Sequence, residues 1–121
     1  MRQNIIISLQ VEGLHCWPAA KEVFPDVAFL SNPHRHIFHI CCKKRVSHSD
    51  RDVEIIRFKR SVLAYLNKTY GTSIITDVNY RHLEFGSKSC EMICEELLEK
   101  FDLEYVSVLE DGEVGAELYK N

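Results

Sequence analysis

Three histidines are placed where they could do metal chemistry. His34 and His36 flank Arg35 in an alternating stretch that follows Pro33. On a β-strand alternate side chains share a face, so the two imidazoles point one way and Arg35 the other. His15, just past the first apolar run, supplies a third ring. Neutral imidazole is a common zinc ligand, and three histidines leave a fourth position for water or substrate. The competing reading is a partly exposed strand among basic residues that binds nothing, and the spacing alone favours that plainer reading.

The five cysteines are less suggestive. An odd count placed as Cys16, the adjacent Cys41 and Cys42, then Cys90 and Cys94 gives no disulfide framework. Neighbouring strand residues face apart, so Cys41 and Cys42 cannot readily chelate one ion together. Cys90 and Cys94 share a helix face, and small core residues explain them better than a metal does.

These side chains must be positioned by one modest core, because 121 residues suit a single domain spanning 1–121. With 45% hydrophobic and 27% charged residues the chain is globular in type. No apolar run approaches the roughly 18 residues needed to span a bilayer. The opening Met-Arg-Gln-Asn-Ile-Ile-Ile-Ser turns polar too soon for a secretory signal, so a cytoplasmic location and no membrane partner are expected. Residues 34–60 hold eight Lys or Arg against three acids, whereas residues 86–121 hold three against ten. The basic middle suits phosphate, and the acidic C-terminal third argues against a nucleic-acid surface.

Periodicity predicts a first strand over residues 3–12, ended by Gly13, and a long connection over 14–33 with a short turn of helix. A second strand is expected over 34–47. Asp50 or Asp52 is positioned to cap a helix with Ile55, Ile56, Val62, Leu63 and Leu66 on its apolar stripe, closed by Gly71. Residues 72–88 show no decisive pattern. A second helix opens after Ser89 with Cys90, Ile93, Cys94, Leu97 and Phe101 on one side. Strands over 103–110 and 113–120 flank Asp111-Gly112, a strong two-residue hairpin signal. The expected fold is α+β with ββααββ order: four antiparallel strands with both helices on one face. The uncovered face and open edges favour a homo-oligomer.

This order of elements, with His15, His34-x-His36, Ser89-Cys90-Glu91 and Val106-Ser107-Val108-Leu109-Glu110, resembles the tunnelling-fold family over nearly the whole chain. Its closest enzymes are the 6-pyruvoyl- and 6-carboxy-tetrahydropterin synthases. The resemblance implies an oligomeric barrel, zinc on His15, His34 and His36, and a ligand-anchoring carboxylate at Glu110. A carboxylate suits that task because it accepts paired N–H bonds from the edge of a pterin or guanine ring. The segment Glu54-Ile55-Ile56-Arg57-Phe58-Lys59 is similar to the family's first-helix motif. The departures are informative. Leu30 and Ser31 stand where the synthases have a catalytic cysteine, Arg35 replaces a usual glycine, and His82 lies too close to the second helix to match their aspartate–histidine pair. The chain also resembles small bacteriophage proteins, through His34-Arg35-His36-x-Phe38-His39, Asp50-Arg51, Ser89-Cys90-Glu91 and Glu110-Asp111-Gly112-Glu113-x-Gly115-Ala116.

The leading expectation is a binding protein whose inter-subunit pockets hold a purine- or pterin-like ligand or a nucleotide. In a phage setting it would sequester a host nucleotide signal in the host cytoplasm. Glu110, Glu91, Arg35, Arg57 and Trp17 are its ligand contacts; Arg45 and Arg51 are further phosphate candidates, and Phe24 and Phe29 further stacking candidates. The alternative is a zinc-dependent synthase-like lyase, weakened by the missing cysteine and needing another base. His39 is expected on the wrong face for that base, and His48 nearer the first helix. A ligand-free structural oligomer is the third reading.

Overall fold

In the computed structural model, which describes residues 1–72 and 82–121, two long strands form the spine. β1 (Gln3–His15) and β2 (His34–Val46) pair antiparallel from Gln3 opposite Val46 to His15 opposite His34. The two-residue period sorts their side chains. Ile7, Leu9, Phe38, Ile40 and Cys42 are buried on one face, while Ile6, Ser8 and Arg45 are exposed on the other.

The connection between them holds a one-turn helix, α1 (Ala20–Val23), and a 3-10 stretch over Pro25–Ser31. After β2 come α2 (Ile55–Tyr70), β3 (Leu83–Gly86), α3 (Cys90–Phe101), β4 (Tyr105–Glu110) and β5 (Val114–Tyr119). The fold is α+β, but the sheet has five strands in the order β3-β1-β2-β4-β5, and β3 runs parallel to β1. This corrects the expected four antiparallel strands. Four residues, with only Leu83 and Phe85 buried, are too few to show a period in the sequence. Residues 73–81, part of the ambiguous stretch, lie outside the described residues.

Gly13 does not end β1, which continues two residues further and so contains His15. The glycine is there for space: a Cβ at position 13 would lie 2.8 Å from Phe85 Cε2 and 2.9 Å from Phe38 Cε2. Lacking one, the strand passes directly over two core rings.

Both longer helices pack onto the same core. α2 buries Phe58, Val62 and Leu66, spaced four apart, whereas Ile55 and Ile56 are half exposed and lie off the expected stripe. Its cap is Glu54, whose carboxylate accepts from the Ile56 and Arg57 amides. Asp52 instead accepts from the Ser47 amide and hydroxyl and closes the preceding turn. α3 buries Cys90, Ile93, Cys94 and Leu97, with Ser89 accepting from the Met92 amide as its cap. It ends in a left-handed Asp102, where the Leu103 amide returns to the Leu98 carbonyl. Leu103 is thereby buried as part of the helix stop, and β4 starts two residues later than expected.

Asp111 and Gly112 both take positive φ in the hairpin between β4 and β5, as their residue types predict, but Glu113 extends the expected two-residue loop to three, and β5 starts one residue later than expected. No helix among the described residues is long and apolar enough to cross a membrane.

Candidate metal centre

The buried face of the sheet changes character at one end. Continuing the rows Ile7–Leu9 and Phe38–Ile40 outward gives His15 on β1, then His36 and His34 on β2. All three therefore point to the helix side, and their ligand atoms lie within 4.8 Å of one another. Phe38, fully buried, is the floor: its ring stands edge-on to His15 at 5.2 Å and to His36 at 5.8 Å between centroids.

Each ring is held by its Nδ1. His15 Nδ1 lies 3.0 Å from the Lys88 carbonyl, His34 Nδ1 lies 2.9 Å from the Asn32 carbonyl, and His36 Nδ1 lies 2.7 Å from Asp111 Oδ2. A carbonyl or carboxylate oxygen can only accept, so every Nδ1 carries the proton and donates it. In the neutral rings that leaves Nε2 as a bare lone pair. An outer acceptor that fixes the tautomer and aims the other nitrogen is the arrangement that metal-ligating histidines use. Burial pushes the His15 imidazole below the usual histidine range, against the raising effects of the Lys88 carbonyl and Glu110, which keeps it neutral.

Glu110 completes the cluster. β4 sets it opposite Phe38, on the same face, with Oε1 3.0 Å from His15 Nε2 and Oε2 3.3 Å from His36 Nε2. Both nitrogens are nonetheless buried with no hydrogen-bond partner. Buried polar atoms are ordinarily satisfied, and two orphaned imidazole nitrogens facing each other's neighbourhood are what a cation would satisfy. The residues present thus fit a divalent transition metal. Cys90 lies behind, its Sγ 3.6 Å from Glu110 Oε1. Burial, and then Glu110, push that thiol up to about 12, so it stays protonated.

Beside the histidines is a cleft of about 380 Å³ whose walls include His15, His34, Cys16, Trp17, Leu30 and Glu91. Of the sequence-derived ligand contacts, Trp17 and Glu91 border it. Phe24 rests against Trp17 with centroids 5.9 Å apart, and Phe29 is largely exposed. Arg35 points to the opposite sheet face, where its Nε donates to Glu12, and Arg57 is exposed on α2. Glu110 faces the ring nitrogens and is not part of the cleft wall. His39 lies on the sheet face opposite Phe38 and Ile40, as expected from alternation. His48 sits by Asp52 at 3.6 Å, at the far end of β2, and His82 by Glu84 at 3.3 Å.

Sequence reasoning missed Asp111, which serves the turn and the site together: Oδ1 accepts from the Ile37 amide at 2.9 Å while Oδ2 holds His36. Its carboxyl is held below the usual range, first by the Ile37 amide and then by His36. The Asp-Gly signal marked the residue, but only for the turn. Lys88 was also missed, since its contribution to the site is a backbone carbonyl. Its ammonium is fixed by Glu96 and by the Tyr70 hydroxyl, 2.6 Å away, which anchors the loop that holds His15.

No protein-family model matches the chain, and no curated protein matches it. Among solved structures, the crystal structure of an uncharacterised protein, WS1659 from Wolinella succinogenes, is similar over 100% of this chain and 99% of its own, with a TM-score of 0.53 and 14% identity. At that identity the two chains share a fold.

Proposed function

We propose that the chain binds a small planar heterocycle of the purine or pterin class beside a zinc centre on His15, His34 and His36. The observation that supports this most is the set of Nδ1 bonds, which leaves Nε2 as the lone pair on three rings whose ligand atoms lie within 4.8 Å of one another. Imidazole donors suit zinc, copper, iron or nickel, and three histidines with room for a further ligand are a zinc pattern. An ion held there supplies a Lewis-acid position for a ring nitrogen or carbonyl oxygen.

The adjoining cleft is within the size range of small-ligand sites. Trp17 offers a stacking face and Glu91 an acceptor for ring N–H groups. Arg35 and Arg57 lie away from this cleft and reach a ligand only across a boundary between copies. This agrees with the oligomeric barrel that the resemblance implies, as does the sheet face opposite α2 and α3. Thermal denaturation of the zinc-loaded protein with pterins, purines and guanine nucleotides tests the reading. A ligand at 100 times its Kd adds about 2.7 kcal/mol, on the order of 10 °C for a chain this long. No shift with any of these classes would reject it.

A zinc-dependent lyase is the second reading, and one observation favours it: Cys16 borders the same cleft as His15 and His34. A thiol is therefore near the centre although the synthase cysteine position holds Leu30 or Ser31. Conversion of dihydroneopterin triphosphate by the zinc-loaded protein, lost in Cys16→Ser, is the outcome this reading requires.

A further inference from the structure

We infer that Glu110 is itself a ligand of the ion held by His15, His34 and His36, so that the resting centre has three imidazoles and one carboxylate; this rests on the metal reading above. It gives Glu110 a different task from the ring-anchoring one that the resemblance implies.

The argument begins with charge. With every Nδ1 donating outward, the Nε2 atoms of the neutral rings are acceptors. Glu110 brings two further acceptor oxygens to 3.0 Å from His15 Nε2 and 3.3 Å from His36 Nε2. Lone pairs facing a carboxylate at such distances repel unless something positive lies between them. No hydrogen bond joins either nitrogen to the carboxylate, so the close approach is not accounted for by a shared proton.

Distances agree with shared coordination. Ligand atoms at about 2.0–2.2 Å from a tetrahedral ion stand roughly 3.3–3.6 Å from one another; the His36 Nε2–Glu110 Oε2 separation of 3.3 Å meets that spacing, and the His15 Nε2–Glu110 Oε1 separation of 3.0 Å falls just short of it. Strand pairing fixes the carboxylate at this place. Glu110 lies opposite Phe38, the residue two beyond His36 on β2, and the Asp111 amide donates to the Ile37 carbonyl at 2.7 Å immediately beside it. Glu110 touches His15, which borders the cleft, but is not itself among the residues of the cleft wall. A cleft ligand that reaches the ion must therefore displace Glu110 or add to four existing donors.

Cobalt(II) is the probe, because its visible absorption is strong when four-coordinate and weak when six-coordinate. The wild-type protein should bind one cobalt with strong bands, and azide should perturb them only weakly. Glu110→Ala should still bind cobalt through the histidines, but about 100-fold more weakly, beyond most outer-partner losses. Its spectrum should lose intensity or become readily azide-sensitive. Glu110→Gln, which keeps the volume of the side chain, should weaken binding in the same direction and covers the case in which the alanine variant does not fold. Unaltered cobalt affinity and spectrum in the folded variants overturn the assignment of Glu110 and leave the three-histidine centre standing. Failure of the wild-type protein to bind cobalt overturns both.

Discussion

Asp111→Asn isolates the tuning of the centre from its assembly. The aspartate makes two bonds, accepting from His36 Nδ1 at 2.7 Å and from the Ile37 amide at 2.9 Å. Both partners are donors, and an asparagine has only one acceptor oxygen, so one of the two must face an NH2 group instead. The turn itself should survive, because position 111 has φ 56° and asparagine tolerates the left-handed region well. His36 thus stays in place but loses the charged acceptor that fixes its tautomer. Loss of such an outer partner typically costs 10- to 100-fold in metal affinity, and about that factor is expected here. Competition against a chelator of known zinc affinity, at fixed pH, measures it. His48→Ala is the control, since His48 sits by Asp52 at the other end of β2 and should change nothing. A folded Asp111→Asn protein with zinc affinity within about a factor of two of wild type would refute the claim that Nδ1 donation tunes the site.

Gly13→Ala should cost about 1–3 kcal/mol in stability by overpacking, because its Cβ meets Phe85 and Phe38 at 2.8 and 2.9 Å. Since Phe38 also supports His15 and His36, zinc affinity should fall with it, and an unchanged melting temperature would contradict the packing. Burial raises the Glu96 carboxyl, but bonds from Lys88, Tyr70 and Tyr65 outweigh it and hold the folded-state value below the usual range. A depressed acid stabilises fully above its unfolded-state value, about 4.3, and that contribution is lost as pH falls through the folded one. Wild-type melting temperature should therefore drop more steeply below that pH than that of Glu96→Gln, and parallel profiles would remove Glu96 from the acid response. Burial pushes Cys42 and Cys90 up to about 12 and Cys94 up to about 11, while Cys16 and Cys41 are partly exposed. Two thiols per native chain should react with a thiol reagent near pH 8 and five in denaturant; five at one rate in the native protein would contradict this burial.

The features legible in the sequence were those written in local patterns. Alternation around His34 and His36 put the two rings on one face, and Asp111-Gly112 and Ser89 marked a turn and a cap that the chain does form. What the sequence concealed depends on contacts between distant segments. β3 is too short to show a period, and its partner lies about 70 residues away on β1. Gly13 read as a break because a glycine needed for room beneath two rings looks the same as one needed for a turn. Ile55 and Ile56 matched a helical stripe, but they stand in the first turn of α2 and remain half exposed. At the site, the histidines were visible by type and spacing. Their orienting partners were not, since two of the three are backbone carbonyls and the third had an evident reason to be in its turn. Glu110 was singled out by its place before the turn, and the pairing of β4 with β2 sets its carboxylate beside the imidazoles, a placement that no local pattern shows.

The central claim is that His15, His34 and His36 form a metal centre. Elemental analysis of tag-free protein, equilibrated with zinc and then desalted, tests it most directly. One zinc per chain, falling to near none in His34→Ala, is the expected result; less than about 0.2 per chain in the folded wild-type protein would contradict it.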